Sequence, residues 1–168
     1  MDDRPRGRSA AQWFCLIVGG TLVVVGLLGF LAEATFDTSA GSDPGAVDGE
    51  NFILFEVNGW HNVVHILSGV FLLALSGKHR TARTAALAFG GIYAVVTVIG
   101  LIDGHDVLGV LPVNPADNVL HILLTVTALA VGLVSDRDRR DVRTTPESRR
   151  FEREAPGATA QSPTPQRR

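Results

Sequence analysis

Four long apolar stretches without a charged residue constrain the fold of this chain more than any other feature. They cover roughly residues 13–32, 57–77, 84–102 and 119–134. A hydrocarbon core about 30 Å thick needs about 20 helical residues to cross it. The first three stretches reach that length alone, and the fourth reaches it if its helix begins near Pro115. Because buried helices of soluble proteins seldom run so long without a charge, the pattern predicts an all-α integral membrane protein.

The positions of the basic residues predict the orientation of these helices. All fifteen lie before residue 13, between Gly77 and Arg83, or after Ser135. Short cytoplasmic loops of membrane proteins are rich in Lys and Arg, so both termini and the Gly77–Arg83 turn are expected in the cytoplasm. The connections at 33–56 and 103–114, which have no Lys or Arg, are expected outside. The predicted location is therefore the cytoplasmic membrane, with four passes.

The predicted domain organisation follows from these boundaries. Residues 1–12 form a cytoplasmic head and residues 13–134 the membrane domain, with spans at about 13–32, 58–77, 82–102 and 115–134. Residues 135–168 form a cytoplasmic tail rich in Pro, Ser, Thr and Arg. Its low apolar content predicts disorder, because too little surface can be buried to offset the ordering entropy.

An eleven-residue segment occurs twice, at 57–67 and at 113–123, with seven of the eleven positions identical. Each copy begins an apolar stretch, and the two copies are 56 positions apart. The first and third stretches share a glycine pattern at an offset of 71, in which Gly19, Gly20 and Gly29 recur as Gly90, Gly91 and Gly100. The internal repeat predicts two parallel helical hairpins related by a pseudo-twofold axis along the membrane normal, packed as a membrane four-helix bundle.

Both copies of the repeat place a polar stripe near the start of a helix. Asn58 and Asn114 are expected to cap the second and fourth helices, since Asn is favoured as an N-cap and Pro115 suits the first helical position. The stripes that follow comprise His61, Asn62 and His65 in the second helix and Asp117, Asn118 and His121 in the fourth. Position seven after each cap lies about 10 Å along the helix axis. Polar groups at such depth face the bundle interior and are functional candidates.

Three interpretations of the stripes are open. In the favoured one the protein is structural or interacts with other proteins, and Asn62, His65, Asn118 and His121 hydrogen-bond across the interface between the helices. In the second, His61, His65, Asp117 and His121 bind a transition metal, or His65 and His121 alone are the axial ligands of a b-type haem. In the third, the stripes line a path for protons or a small solute in an oligomer.

The sequence contains no phosphate-binding loop, nucleophile elbow or zinc-protease helix motif, which lowers the expectation of an enzyme. The predicted partners are the lipid bilayer and either a second copy of the chain or another membrane protein. No feature predicts nucleic-acid binding.

The chain resembles a family of small four-span integral membrane proteins, frequent in high-GC bacteria, whose function is unassigned. The resemblance rests on the run V-N-x-x-x-N-x-x-H at Val57–His65 and on the run L-G-V-L-P-V-N-x-x-D-N-x-L-H at Leu108–His121. It covers about residues 12 to 134. It implies the four-span fold and implies no particular activity.

Overall fold

A computed structural model describes residues 7–38 and 49–144, with side chains described as far as Ser135. Four helices occupy these ranges: α1 (Ala10–Ala32), α2 (Gly59–Leu75), α3 (His79–Asp103) and α4 (Pro115–Thr144). A small antiparallel β-hairpin precedes α2, formed by β1 (Glu50–Phe52) and β2 (Phe55–Val57). A second precedes α4, formed by β3 (Asp106–Val107) and β4 (Leu111–Pro112). The predicted all-α four-helix bundle is confirmed, and its helices as far as Ser135 belong to one compact unit.

Three of the helices are long and apolar enough to cross a membrane. They are α1, α3 and the part of α4 from Pro115 to Ser135. The second helix, α2, has 17 residues, which is shorter than the predicted span of about 58–77 and lies at the lower limit of transmembrane length. Its last turn tightens to an i→i−3 bond from Ser76 N to the Leu73 carbonyl at 3.2 Å, and Gly77 follows.

The fourth helix continues beyond its predicted end near residue 134. It is helical as far as Thr144, which is ten residues past the predicted end of the span and within the predicted tail. Residues 135–144 contain no Gly or Pro, the two residues least favourable within a helix. The remainder of the predicted disordered tail, and the first half of the predicted head, lie outside the described residues.

The two β-hairpins were not predicted from the sequence. In the first, Asn51 pairs with Glu56 across a turn in which Ile53 has a φ of 64°. In the second, Val107 pairs with Leu111 across a turn in which Leu108 and Gly109 have φ values of 60° and 67°. Strands of two or three residues leave no alternation to detect, and apolar residues with positive φ are not a usual turn signal.

The helices of each helical hairpin pack through glycines. A Cβ on Gly19 of α1 would lie 2.9 Å from the Gly69 carbonyl oxygen and 3.0 Å from Leu72 Cβ. A Cβ on Gly90 of α3 would lie 2.9 Å from Leu129 Cδ2 and 3.2 Å from Ala128 Cβ. The lack of a side chain at these positions is therefore what lets α1 approach α2, and α3 approach α4.

The end of the bundle that holds the α2–α3 connection, here called the turn end, is closed by side chains that bond to backbone carbonyls. Gln12 Nε2 of α1 donates to the carbonyls of Ser76 and Gly77, at 3.2 Å and 2.9 Å. Arg83 Nε of α3 donates to the Gly132 carbonyl of α4 at 2.9 Å. Between these contacts, the fully buried Ala11, Cys15 and Ala82 belong to the apolar core.

Candidate functional site: the polar cluster at the β-hairpin end

The opposite end of the bundle, here called the β-hairpin end, is formed by both β-hairpins and the first turns of α2 and α4. Asparagines begin both helices. Asn58 Oδ1 accepts a hydrogen bond from His61 N at 2.8 Å, and Asn114 Oδ1 accepts from Ala116 N at 2.8 Å and Asp117 N at 3.0 Å. These bonds satisfy amide groups that have no acceptor within the first turn of a helix.

The same two asparagines also join one helical hairpin to the other. Asn58 Nδ2 donates to the Val110 carbonyl at 2.9 Å, and Asn114 Nδ2 donates to the Leu54 carbonyl at 3.0 Å. The acceptors, Leu54 and Val110, are 56 positions apart, as are the two donors. Each asparagine therefore caps its own helix with its oxygen and holds the other β-hairpin with its nitrogen.

Asp117 supports this junction from α4. Its Oδ2 accepts hydrogen bonds from Glu56 N at 2.9 Å and Asn114 N at 3.0 Å, and the residue is buried. The counterpart of Asp117 in α2 is His61, and the counterpart of Glu56 is Pro112, which has no N–H. A carboxylate at position 61 would have no amide to bind there, whereas the imidazole of His61 lies beside the backbone carbonyls of Glu56 and Pro112.

Asn62 and Asn118 contact their own helical hairpins. Asn62 Nδ2 donates to the Glu33 carbonyl at 2.9 Å, and its Oδ1 lies against the backbone of Gly29, where a Cβ would collide with it. Asn118 Oδ1 lies in the same way against Gly100, at 2.8 Å from the position of a Cβ. The hydrogen bond of Asn62 thus differs from the predicted cross-interface bond, and Asn58 and Asn114 make that connection instead.

Three buried histidines converge beside this junction. His61 and His65 are one turn apart on α2, with ring centroids 4.5 Å apart, and His121 of α4 lies 6.2 Å from His61. One ligand nitrogen from each of the three lies within 4.8 Å of the other two. The fourth predicted metal ligand, Asp117, is not a member of this group, because its carboxylate is turned to the amides of Glu56 and Asn114.

Aromatic and hydroxyl groups enclose His121. Tyr93 of α3 meets the His121 ring edge to face at 5.4 Å and stacks on Phe89 at 4.1 Å. Its buried hydroxyl lies near Ser68 and has no hydrogen-bond partner among the described residues. Thr125, one turn beyond His121, has a buried hydroxyl with no hydrogen-bond partner among the described residues. Tyr93 was missed in the sequence, although it is the only tyrosine of the chain and lies in an apolar helix.

The arrangement of the three histidines distinguishes between the two predicted ligands, a metal ion and a haem. Three imidazoles converging from two helices suit a single ion. A haem bound by His65 and His121 would place its porphyrin plane between their ligand atoms. The His61 ligand atom lies within 4.8 Å of both, in the space that the macrocycle would fill. The geometry therefore favours an ion over a haem.

Glu33 is a charged residue at the β-hairpin end that lies outside the long apolar helices. The Glu33 carboxylate, just after α1, accepts hydrogen bonds from Thr35 N and Ala34 N, each at 2.7 Å. The bond to Thr35, assisted by the bond to Ala34, lowers the pKa of Glu33 below its ordinary value. The backbone carbonyl of the same residue accepts the bond from Asn62.

Comparisons with known proteins place the chain within a family. A family profile described as "Domain of unknown function (DUF4383)" matches residues 12–134, which include all four apolar stretches and both copies of the repeat. Searches among curated proteins and among solved structures return no match. On the extent of the profile match, the chain belongs to the DUF4383 family, a domain of unknown function.

Proposed function

We propose that this chain is a four-pass integral protein of the cytoplasmic membrane with a structural or interaction role, in which a polar junction joins two helical hairpins. The observation that carries the proposal is the distribution of apolar surface. Only 33–39% of the residues in the three long spans are buried. Large apolar side chains cover the outside, including Leu31, Leu67, Ile92 and Leu123 with 83%, 63%, 60% and 58% of their surface exposed. Soluble monomers rarely expose apolar surface on this scale.

The interior of the β-hairpin end supports the same proposal. Asn58, Asn62 and the three clustered histidines are buried there, whereas apolar residues face outward. Such a distribution suits a protein surrounded by lipid, in which polar groups gain most by facing one another. The helix α2 is included as the fourth span, because Leu67 and Val70 on its outer side are as exposed as the apolar residues of the longer helices.

An internal duplication explains the architecture. The reciprocal bonds from Asn58 to Val110 and from Asn114 to Leu54 are the pattern expected across a twofold axis. Equivalent contacts recur along the helices at the same offsets of 71 and 56. They are Gln12 to Ser76 with Arg83 to Gly132, and Gly29 to Asn62 with Gly100 to Asn118. We take these matches as support for a parallel repeat, with the axis along the membrane normal.

The proposed orientation places the turn end in the cytoplasm and the β-hairpin end outside. It rests on Lys78, Arg80 and Arg83 at the turn end, and on the absence of Lys and Arg from residues 33–56 and 103–114. In this arrangement the partners are the bilayer around the spans and a second copy or another membrane protein beside them.

Cysteine labelling tests the location and the orientation together. Cys15 is first replaced by alanine, and a single cysteine is introduced as Gly77→Cys at the turn end or His105→Cys at the β-hairpin end. A Cβ at Gly77 meets no atom within 4 Å, and His105 is exposed, so both variants should fold. In intact cells, a membrane-impermeant maleimide should label the second variant and reach the first only after permeabilisation. Recovery of the protein in the soluble fraction would refute the membrane location, and the opposite labelling pattern would refute the orientation.

A further inference from the structure

We propose that His61, His65 and His121 form a binding site for one divalent transition-metal ion, of the kind that prefers nitrogen ligands, such as Zn²⁺. This site goes beyond the proposed membrane role, because it gives the junction between the helical hairpins a specific ligand.

The backbone brings the three ligands together. His61 and His65 are four positions apart on α2, so their imidazoles project from one face of the helix. His121 approaches from α4, and the three ligand atoms lie within 4.8 Å of one another. Nitrogen ligands of a tetrahedral Zn²⁺ ion are about 3.3 Å apart when the Zn–N distance is about 2.0–2.1 Å. Binding would therefore require the imidazoles to rotate until their ligand nitrogens lie closer than the 4.8 Å limit within which they are found.

Unsatisfied atoms within the cluster point to a ligand. The Nδ1 atoms of all three histidines are buried and have no hydrogen-bond partner among the described residues. A buried polar atom without a partner destabilises the folded state, so three in one place call for an explanation. A metal ion that binds three imidazole nitrogens accounts for their convergence in a single site.

Neighbouring groups have the positions that support metal-bound imidazoles. The ring of His61 lies beside the backbone carbonyls of Glu56 and Pro112, and a carbonyl that accepts the second ring N–H commonly orients a ligating histidine. Asp117 interacts electrostatically with His121 and places a negative charge near the site. That charge would offset part of the cost of holding a divalent cation on three neutral ligands within a bundle surrounded by lipid.

The donor set selects the class of ion. Neutral imidazoles suit Zn²⁺, Cu²⁺, Fe²⁺ and Ni²⁺, whereas Ca²⁺ and Mg²⁺ require oxygen ligands. Three protein nitrogens leave a tetrahedral ion with one open position for water or another small ligand. Since two ligands come from α2 and one from α4, the ion would also cross-link the two helical hairpins.

The experiment uses the whole chain, purified in detergent and treated with a chelator. It is titrated with Co²⁺, whose visible spectrum reports tetrahedral nitrogen coordination, and then with Zn²⁺ as competitor. We expect one Co²⁺ per chain, displaced by Zn²⁺, and a higher unfolding temperature for the metal-loaded protein, because a ligand that binds only the folded state stabilises it. A wild-type protein that binds neither ion would overturn the proposal.

Matched variants assign the ligands. We expect metal binding to weaken by more than about 100-fold in each of His61→Gln, His65→Gln and His121→Gln. Loss of a residue that only hydrogen-bonds to a metal ligand weakens binding by up to about 100-fold, and loss of a ligand itself should cost more. The control, His105→Gln, removes an exposed loop histidine and should bind as the wild type does. Cobalt binding that survives His121→Gln at full affinity would overturn the proposal.

A third measurement keeps the test decisive if the variants do not fold. The electron paramagnetic resonance spectrum of Cu²⁺ bound to the wild-type protein should show coupling to three imidazole nitrogens. A spectrum with oxygen ligands alone would contradict the site. Failure of the metal site leaves the cysteine-labelling result unchanged, so the two proposals can fail separately.

Discussion

The helical hairpins α1–α2 and α3–α4 pack in the same way and differ in the chemistry of their polar ends. In both, a glycine of the first helix receives an asparagine of the second, as Gly29 receives Asn62 and Gly100 receives Asn118. In both, an asparagine caps the second helix and bonds to the opposite β-hairpin. The contacts that hold the helices together are thus shared by the two hairpins.

The two hairpins differ at the third residue after each cap, which is His61 in α2 and Asp117 in α4. Asp117 binds the N–H of Glu56, whereas the corresponding Pro112 offers His61 only a carbonyl. The N–H of Glu56 therefore suits a carboxylate at Asp117, and the lack of an N–H at Pro112 suits an imidazole at His61. As a consequence, the polar cluster contains three histidines and one separate carboxylate, and the two helices do not present the same pair of side chains.

The largest effect is expected from adding a methyl group where an asparagine meets a glycine. Gly29→Ala should lower the free energy of unfolding by about 3 kcal/mol, because the Cβ collides with Asn62 Oδ1 while the Glu33 carbonyl holds the Asn62 amide. Gly100→Ala should cost less, about 2 kcal/mol, since the contact to Asn118 is longer. Unfolding in detergent followed by circular dichroism measures both.

The chain offers matched controls for this prediction. A Cβ at Gly20 or Gly91, which are equivalent in the repeat, meets no atom within 4 Å. Gly20→Ala and Gly91→Ala should therefore leave stability unchanged or raise it slightly, since Ala is the better helix former. Equal losses at all four glycines would show that backbone flexibility, and not the contact with asparagine, determines the effect.

The explanation for the difference between His61 and Asp117 can be tested by placing an aspartate at position 61 of the first helical hairpin. His61→Asp should lower stability by about 2–3 kcal/mol, because a buried carboxylate would face Pro112, which has no N–H to donate. Combining it with Pro112→Ala, which restores an amide, should recover about 1 kcal/mol. A double-mutant cycle measures the coupling, and additive losses would contradict the explanation.

The two cap asparagines should differ in importance. Asn58 is fully buried and Asn114 is partly exposed. Asn58→Ala should cost about 2 kcal/mol through the lost cap and the unpaired Val110 carbonyl, and Asn114→Ala about 1 kcal/mol. Asn58→Ser, which can still cap the helix, should lose only the bond to Val110. If serine is as damaging as alanine, the junction between the hairpins dominates over capping.

The smallest effect concerns pH and is expected in the first hairpin only. The lowered pKa of Glu33 means that its carboxylate stabilises the folded state above the ordinary pKa, and that this stabilisation is lost as pH falls through the lowered value. The equivalent position in the second hairpin is Gly104, which has no ionisable group. Glu33→Gln should therefore flatten the acid side of the stability profile. An unchanged profile would show that the exposed carboxylate does not contribute.

Properties that depend on local sequence could be predicted without the structure. The uncharged apolar stretches predict the helices, because a span of hydrocarbon excludes charges and needs a fixed length. Asn114 and Pro115 predict the start of α4, since capping involves only neighbouring residues. The offsets of 56 and 71 in the sequence predict which positions of the two helical hairpins correspond, whatever the packing of the helices.

Tertiary structure alone decided which polar groups meet. The sequence predicts that Asn62 and Asn118 hydrogen-bond across the interface between the helices. In the structure Asn58 and Asn114 connect the two helical hairpins, because the β-hairpins, which were not predicted, bring the Val110 and Leu54 carbonyls within hydrogen-bond distance. Asp117 was grouped with the histidines by spacing, but its carboxylate binds backbone amides 61 and 3 positions away. Hydrogen bonds between distant segments depend on the positions that the two backbones take in the folded protein, and helical periodicity does not contain that information.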